Sequence, residues 1–242
     1  MKIFKKTAVL VLLSLVVMTA HTERTYAVTA GMANVLPEFV IYVNRALDCV
    51  TVKLKNADGT ETAVKSIVCS TGRAGHETPL GTFRTSDYYD WRLMVDGTYG
   101  RYAIRFNRGI MFHSVPYMSR NVGNLEYDQY NLLGQKASLG CVRMAVADAK
   151  WIYDFCKKGT KVVVYDDYTS PGELGKPASI PIDFNSPYRG WDPTDVNPLN
   201  PWLQVAGQDA SAVPSTDAVP ATDAVPAADT VPLTDAGVVP VQ

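Results

Sequence analysis

The sequence predicts a single, mainly β domain of about 130 residues with one main helix, flanked by segments of a different character. Three observations lead there. Short apolar or alternating runs bounded by Gly, Asp and Asn recur from Phe39 to Phe112, the pattern of short strands joined by turns. One stretch after Cys141 instead spaces Val146, Ala149, Trp151-Ile152 and Phe155-Cys156 as a helix does, and Lys157-Lys158-Gly159 closes it. From Ala206 the chain becomes a repeat in which Pro214, Pro220, Pro226 and Pro232 recur with Asp217, Asp223, Asp229 and Asp235. Such a tail lacks the bulky apolar content that offsets ordering entropy, so residues 206–242 are expected to be a disordered C-terminal tail.

In chain order, Lys2, Lys5 and Lys6 precede an apolar stretch of 14 residues from Thr7 to Ala20, with small residues after it at Ala27 and Ala30. A helix of that length spans about 21 Å against a bilayer core of about 30 Å. Residues 1–27 therefore read as a secretory signal peptide, with an uncleaved anchor as the other reading. Strands are expected at Phe39–Asn44, Cys49–Lys55 and Glu61–Cys69, the last two joined by a hairpin turn at Asn56-Ala57-Asp58-Gly59. Pairing about that turn brings Cys49 and Cys69 to neighbouring positions. In an exported protein they form a disulfide, or else remain two reduced, half-buried cysteines.

Strands at Gly81–Thr85, Tyr102–Phe106 and Ile110–His113 follow, so His113 ends a strand. The aromatic run Asp87–Arg92 lines a groove or forms a sheet edge. Beyond His113 the segment Val115–Lys136, with Tyr117, Tyr127 and Tyr130, shows no period. It reads as a lid over the cysteine, Tyr117 being a candidate to touch substrate, or as an exposed excursion. The strand Lys161–Tyr165 ends the domain. Residues 169–205 form a Pro/Gly-rich extension that lies over the domain on its tryptophans or serves as a linker.

The chemistry concentrates at Ser138-Leu139-Gly140-Cys141-Val142-Arg143, read with Phe112-His113-Ser114. A cysteine between small residues and close to a predicted helix start would meet unpaired amides that favour its thiolate. The glycine before it leaves room for a carbonyl carbon to approach sulfur. Upstream stand Cys69-Ser70-Thr71-Gly72 and Thr78-Pro79-Leu80-Gly81-Thr82-Phe83. In this order, over roughly Pro37 to Tyr168, these segments resemble the L,D-transpeptidase catalytic domain of the YkuD type. Leu139 departs from that pattern, which carries a histidine there, so His113 is the only histidine within the motif.

The resemblance implies that residues 37–168 are the catalytic domain, a β-sandwich with the helix beside it. It implies a secreted enzyme of the cell wall whose partners are peptidoglycan stem peptides. Cys141 would be the nucleophile and His113 the base, with Gly140, Ser114 and Ser138 supporting the oxyanion and the ring. Arg143 would bind a substrate carboxylate or brace the turn. Water as acceptor would make the protein an L,D-carboxypeptidase, and a site lost with the histidine absent at Leu139 would make it a catalytically idle cell-wall-binding protein. His76, in a loop between Gly75 and Glu77, reads as structural. No cofactor is expected, and two histidines distant from paired cysteines argue against zinc. Residues 28–189 carry 19 Lys+Arg and 16 Asp+Glu, a net +3, which is too weak a field to suggest nucleic acid.

Overall fold

The computed structural model describes residues 37–206. The signal-peptide reading of residues 1–27 lies outside them, as does the disorder reading of the tail from residue 207 onward. The elements run β1 (Phe39–Asn44), β2 (Cys49–Lys55), β3 (Glu61–Val68), β4 (Gly81–Arg84), β5 (Tyr88–Leu93), β6 (Tyr99–Asn107), β7 (Ile110–Ser114), α1 (Tyr127–Tyr130), β8 (Val142–Met144), α2 (Val146–Phe155), β9 (Lys161–Tyr165) and α3 (Pro201–Ala206).

Two sheets form, in the orders β3-β2-β1-β9-β4 and β5-β6-β7-β8. Apolar residues at nearly every position suit β1 to the centre of its sheet, where β2 flanks it antiparallel and β9 parallel. Ile41, Val50, Val52 and Val162 of the first sheet meet Ile104, Phe112, Val142 and Met144 of the second in one core. Ala149 and Ile152 of α2 close it from beside the second sheet. This is the expected mainly β sandwich with one principal helix. The aromatic run became β5, the edge of the second sheet.

Three expectations are corrected. A register shift between Val52 and Lys53 places Cys49 opposite Val68, leaving Cys69 one residue out of step. Alternation then sends the two side chains to opposite faces, and both are free thiols. Cys69 joins the core, whereas Cys49 lies beside Ser66 and the Gly175 carbonyl. The segment after His113 is not a loose lid. Val115, Tyr117, Leu125, Tyr130 and Leu133 build a second small core with Ala145, Val146 and Ile182. Tyr117 is fully buried against Trp91, so its ring is unavailable to a substrate.

The extension, as one of its two readings had it, lies over the domain and is no linker: Trp202 packs against the second core and Trp191 lies beside Gly123. Ala145 precedes α2 without a side-chain cap of its own, and Asp192 and Thr194 supply one by accepting from the Val146 and Ala147 N–H groups at 2.8 and 3.0 Å. Asp195 pairs with Arg101 at 2.6 Å, and both side chains are buried.

Candidate active site

Sheet order brings the two chemical segments together. β7 and β8 are parallel neighbours in which Phe112 faces Val142 and His113 faces Arg143, so Cys141 arrives one position before the ladder begins. His113 and Cys141 line one cavity of about 290 Å³, with Arg92, Met94, Asp96, Ile110, Leu139 and Arg143 around them. The histidine is almost wholly buried.

His113 Nδ1 lies 2.6 Å from the carbonyl oxygen of Ser114. A carbonyl only accepts, so Nδ1 carries the proton and Nε2 keeps the free lone pair. The Ser114 hydroxyl serves the backbone instead, donating to the Val115 carbonyl at 2.7 Å and accepting from the Arg101 N–H at 3.0 Å. Burial, seconded by the nearby Arg143 guanidinium, lowers the imidazole from 6.5 to about 4. Burial also raises the Cys141 thiol, against the opposing pull of the Met111 N–H and Arg143. At neutral pH the resting pair is therefore thiol and uncharged imidazole. The expected thiolate at a helix start is not found, because β8 separates Cys141 from α2 and the first amides of α2 are capped.

The turn that carries the thiol is held from inside. Ser138 Oγ accepts from the Gly140 N–H at 3.0 Å and donates to the Cys141 carbonyl at 2.5 Å. The Gly140 amide is thereby occupied, and its expected part in an oxyanion hole is corrected. Glycine is required here for conformation: φ is +113°, and a Cβ would come within 2.8 Å of Ile110 Cδ1. The upstream segments hold the same turn from behind. Thr78 Oγ1 accepts from the Gly72 N–H at 3.0 Å and donates to the Gly140 carbonyl at 2.8 Å. Ser70 exchanges two backbone bonds with Arg143, and the Thr71 carbonyl accepts from the Ser138 N–H. Asp48, behind them, accepts from the Thr71 N–H and hydroxyl.

Arg143 braces the site from a place on the cavity wall. It donates to Gln129 Oε1 at 2.9 Å and lies 3.7 Å from Asp96, tying the α1 segment to the β5–β6 turn. His76 contributes its backbone, since its carbonyl oxygen lies where a Cβ on Gly72 would fall.

The model of the L,D-transpeptidase catalytic domain, YkuD, matches residues 38–164, more than half of the chain. The chain belongs to this family. Within that L,D-transpeptidase domain lie β1 to β8, all of β9 but Tyr165, and the whole of α2, whereas Asp192, Thr194 and Asp195 fall beyond it. The Bacillus subtilis (strain 168) protein YciB, an L,D-transpeptidase homologue, is 43% identical over 54 residues, which is 22% of this chain and 27% of YciB. The chain thus matches about a quarter of that relative's length. Among solved structures, an L,D-transpeptidase from Mycobacterium smegmatis is 21% identical with a TM-score of 0.44, covering 53% of this chain and 59% of its own. One from Mycobacterium tuberculosis H37Rv is 24% identical with a TM-score of 0.43, covering 54% and 58%.

Several residues that shape this candidate site carried no sequence signal of their own. Gly100 is one: a Cβ there would lie 2.7 Å from His113 Nδ1 and 2.5 Å from Met94 Cε, so the imidazole packs against bare backbone. Asp96 and Gln129, the partners of Arg143, are others. Asp96 lies in the turn between β5 and β6, and Gln129 sat in a segment without period.

Proposed function

We propose that the chain is a peptidoglycan L,D-transpeptidase that acts at the cell wall after export. In this reading Cys141 is the nucleophile and His113 the general base and acid. The imidazole Nε2 takes the thiol proton as sulfur attacks the carbonyl between the third stem residue and the terminal D-alanine. In this reading the Cys141 N–H is the backbone donor offered to the developing oxyanion. His113 then passes its proton to the departing D-alanine amine, and a thioacyl enzyme remains. The side-chain amine of a second stem attacks that thioester and yields a three-to-three crosslink.

The observation that carries this reading is the sharing of one cavity by Cys141 and a histidine whose Nδ1 is pinned by the Ser114 carbonyl. A pinned ring with a single free lone pair is what a general base requires. The uncharged resting state favours proton transfer during attack over a preformed ion pair.

Incubation of the mature protein with a disaccharide-tetrapeptide, followed by intact-mass measurement, tests this directly. Wild type is expected to lose D-alanine and carry a Cys141 adduct, while Cys141→Ala carries none and His113→Ala forms one at least about 100-fold more slowly. Undiminished acylation by the histidine variant would remove His113 from the mechanism. Tripeptide as the sole product, even with a second stem present, would assign an L,D-carboxypeptidase instead.

A further inference from the structure

Three cavities adjoin one another along one side of the molecule, each sharing wall residues with the next. The cavity of Cys141 and His113 shares Asp96, Leu139 and Arg143 with a polar recess of about 230 Å³. That recess in turn shares Glu126 with an open groove of about 660 Å³. The far wall of the groove, from Asn185 to Gly190, belongs to the extension beyond the family domain. Its near wall, from Asn124 to Asp128, lies in the segment between β7 and β8. The two walls are fixed to each other by Leu125 N–H donating to the Gly190 carbonyl at 2.8 Å, and Arg189 lies over the rings of Tyr127 and Phe184 at 5.4 Å.

We infer that this groove is the acceptor subsite, which takes a second stem peptide bearing a free side-chain amine and leads that amine past Glu126 to the thioacyl group on Cys141. The inference rests on the transpeptidase reading. A transferase of this kind must hold two peptides, and the cavity at Cys141 is already required by the donor. Charges of both signs line the path, Arg73 and Arg143 against Asp96 and Glu126, and Glu126 is the acid at its mouth. Glu126 is half-buried where groove and recess meet, and no donor among the described residues bonds its carboxylate. An ammonium group supplies the missing donors. Arg189, steadied by two aromatic faces, offers a cation to the peptide's own carboxylates. In the transfer the ammonium first loses a proton to water. The C–N bond then forms as the C–S bond breaks, and the second amine proton passes through His113 to the departing sulfur, restoring the thiol.

The test is the partition of one thioacyl enzyme between amine and water. The full chain is loaded with tetrapeptide donor and offered a stem peptide with its side-chain amine either free or acetylated. Crosslinked dimer and hydrolysed tripeptide are then counted by mass spectrometry. Glu126→Gln is expected to lower the dimer-to-tripeptide ratio about tenfold, the loss of one charge-assisted hydrogen bond. Asn185→Trp, which fills the groove from an exposed position, is expected to lower it by at least as much. Because the ratio is taken within each variant, a change in acylation rate does not disturb it, and Asn185→Trp decides the matter if Glu126→Gln fails to acylate. An adduct with an unchanged ratio in Asn185→Trp would overturn the groove assignment and leave the transpeptidase reading standing. A wild type that never acylates, or that yields only tripeptide, would overturn both.

Discussion

At the scale of single residues, the environment of His113 makes a statement about pH. In the proposed mechanism His113 serves as base only when uncharged. With burial lowering it from 6.5 to about 4, that form persists as pH falls through the usual imidazole range and is lost only near pH 4. The acid limb of kcat/KM for acylation is therefore expected near pH 4, with no step between pH 6 and 7. A pH–rate profile checks this, and an inflection near 6.5 would place the ring in water. Gly100 gives a second test. Gly100→Ala drives a methyl group against Nδ1, and a base misplaced by about 1 Å loses roughly 100-fold in rate. The expected outcome is that loss in acylation with a folded protein, read by stopped-flow and by thermal melting. The meeting of Cys141 and His113 in one cavity was legible in the sequence because both are rare residue types in a recognisable order. Gly100 was not, because its role is an absence, and only the approach of His113 across the sheet reveals it.

At the scale of elements, the nucleophile turn depends on a loop distant in sequence. Thr78 satisfies a buried N–H of Gly72 and a buried carbonyl of Gly140 with one hydroxyl. Thr78→Val keeps the shape and leaves both unpaired, a loss of about 2 kcal/mol or more. Urea denaturation is expected to report that loss, and acylation to slow as the Gly140 turn relaxes. The strands and α2 were legible from periodicity, and the link between the two upstream motifs and the cysteine was legible as order along the chain. The physical link, one threonine hydroxyl between two backbones, was not. The Cys49–Cys69 pairing failed for a related reason. The hairpin turn fixed which strands pair, but one shifted residue at Val52/Lys53 decides which face each side chain takes.

At the scale of the whole molecule, the extension that follows β9 completes the domain. Its Pro/Gly-rich composition gave no period, and its contacts join residues far apart in the chain, such as Arg101 with Asp195 and Val146 with Asp192. Asp195→Ala leaves the Arg101 guanidinium buried without its carboxylate and is expected to cost about 3–5 kcal/mol, measured by denaturant unfolding. The capping of α2 by Asp192 and Thr194 has a temporal consequence. A chain emerging from the N-terminus holds all the strands of the described residues once Tyr165 has appeared, yet the first turn of α2 still lacks its acceptors and Arg101 its counter-ion. Closure over so many intervening residues is slow relative to hairpin formation. The start of α2 and the Arg101 guanidinium are thus expected to be satisfied last, when residues 192–195 dock.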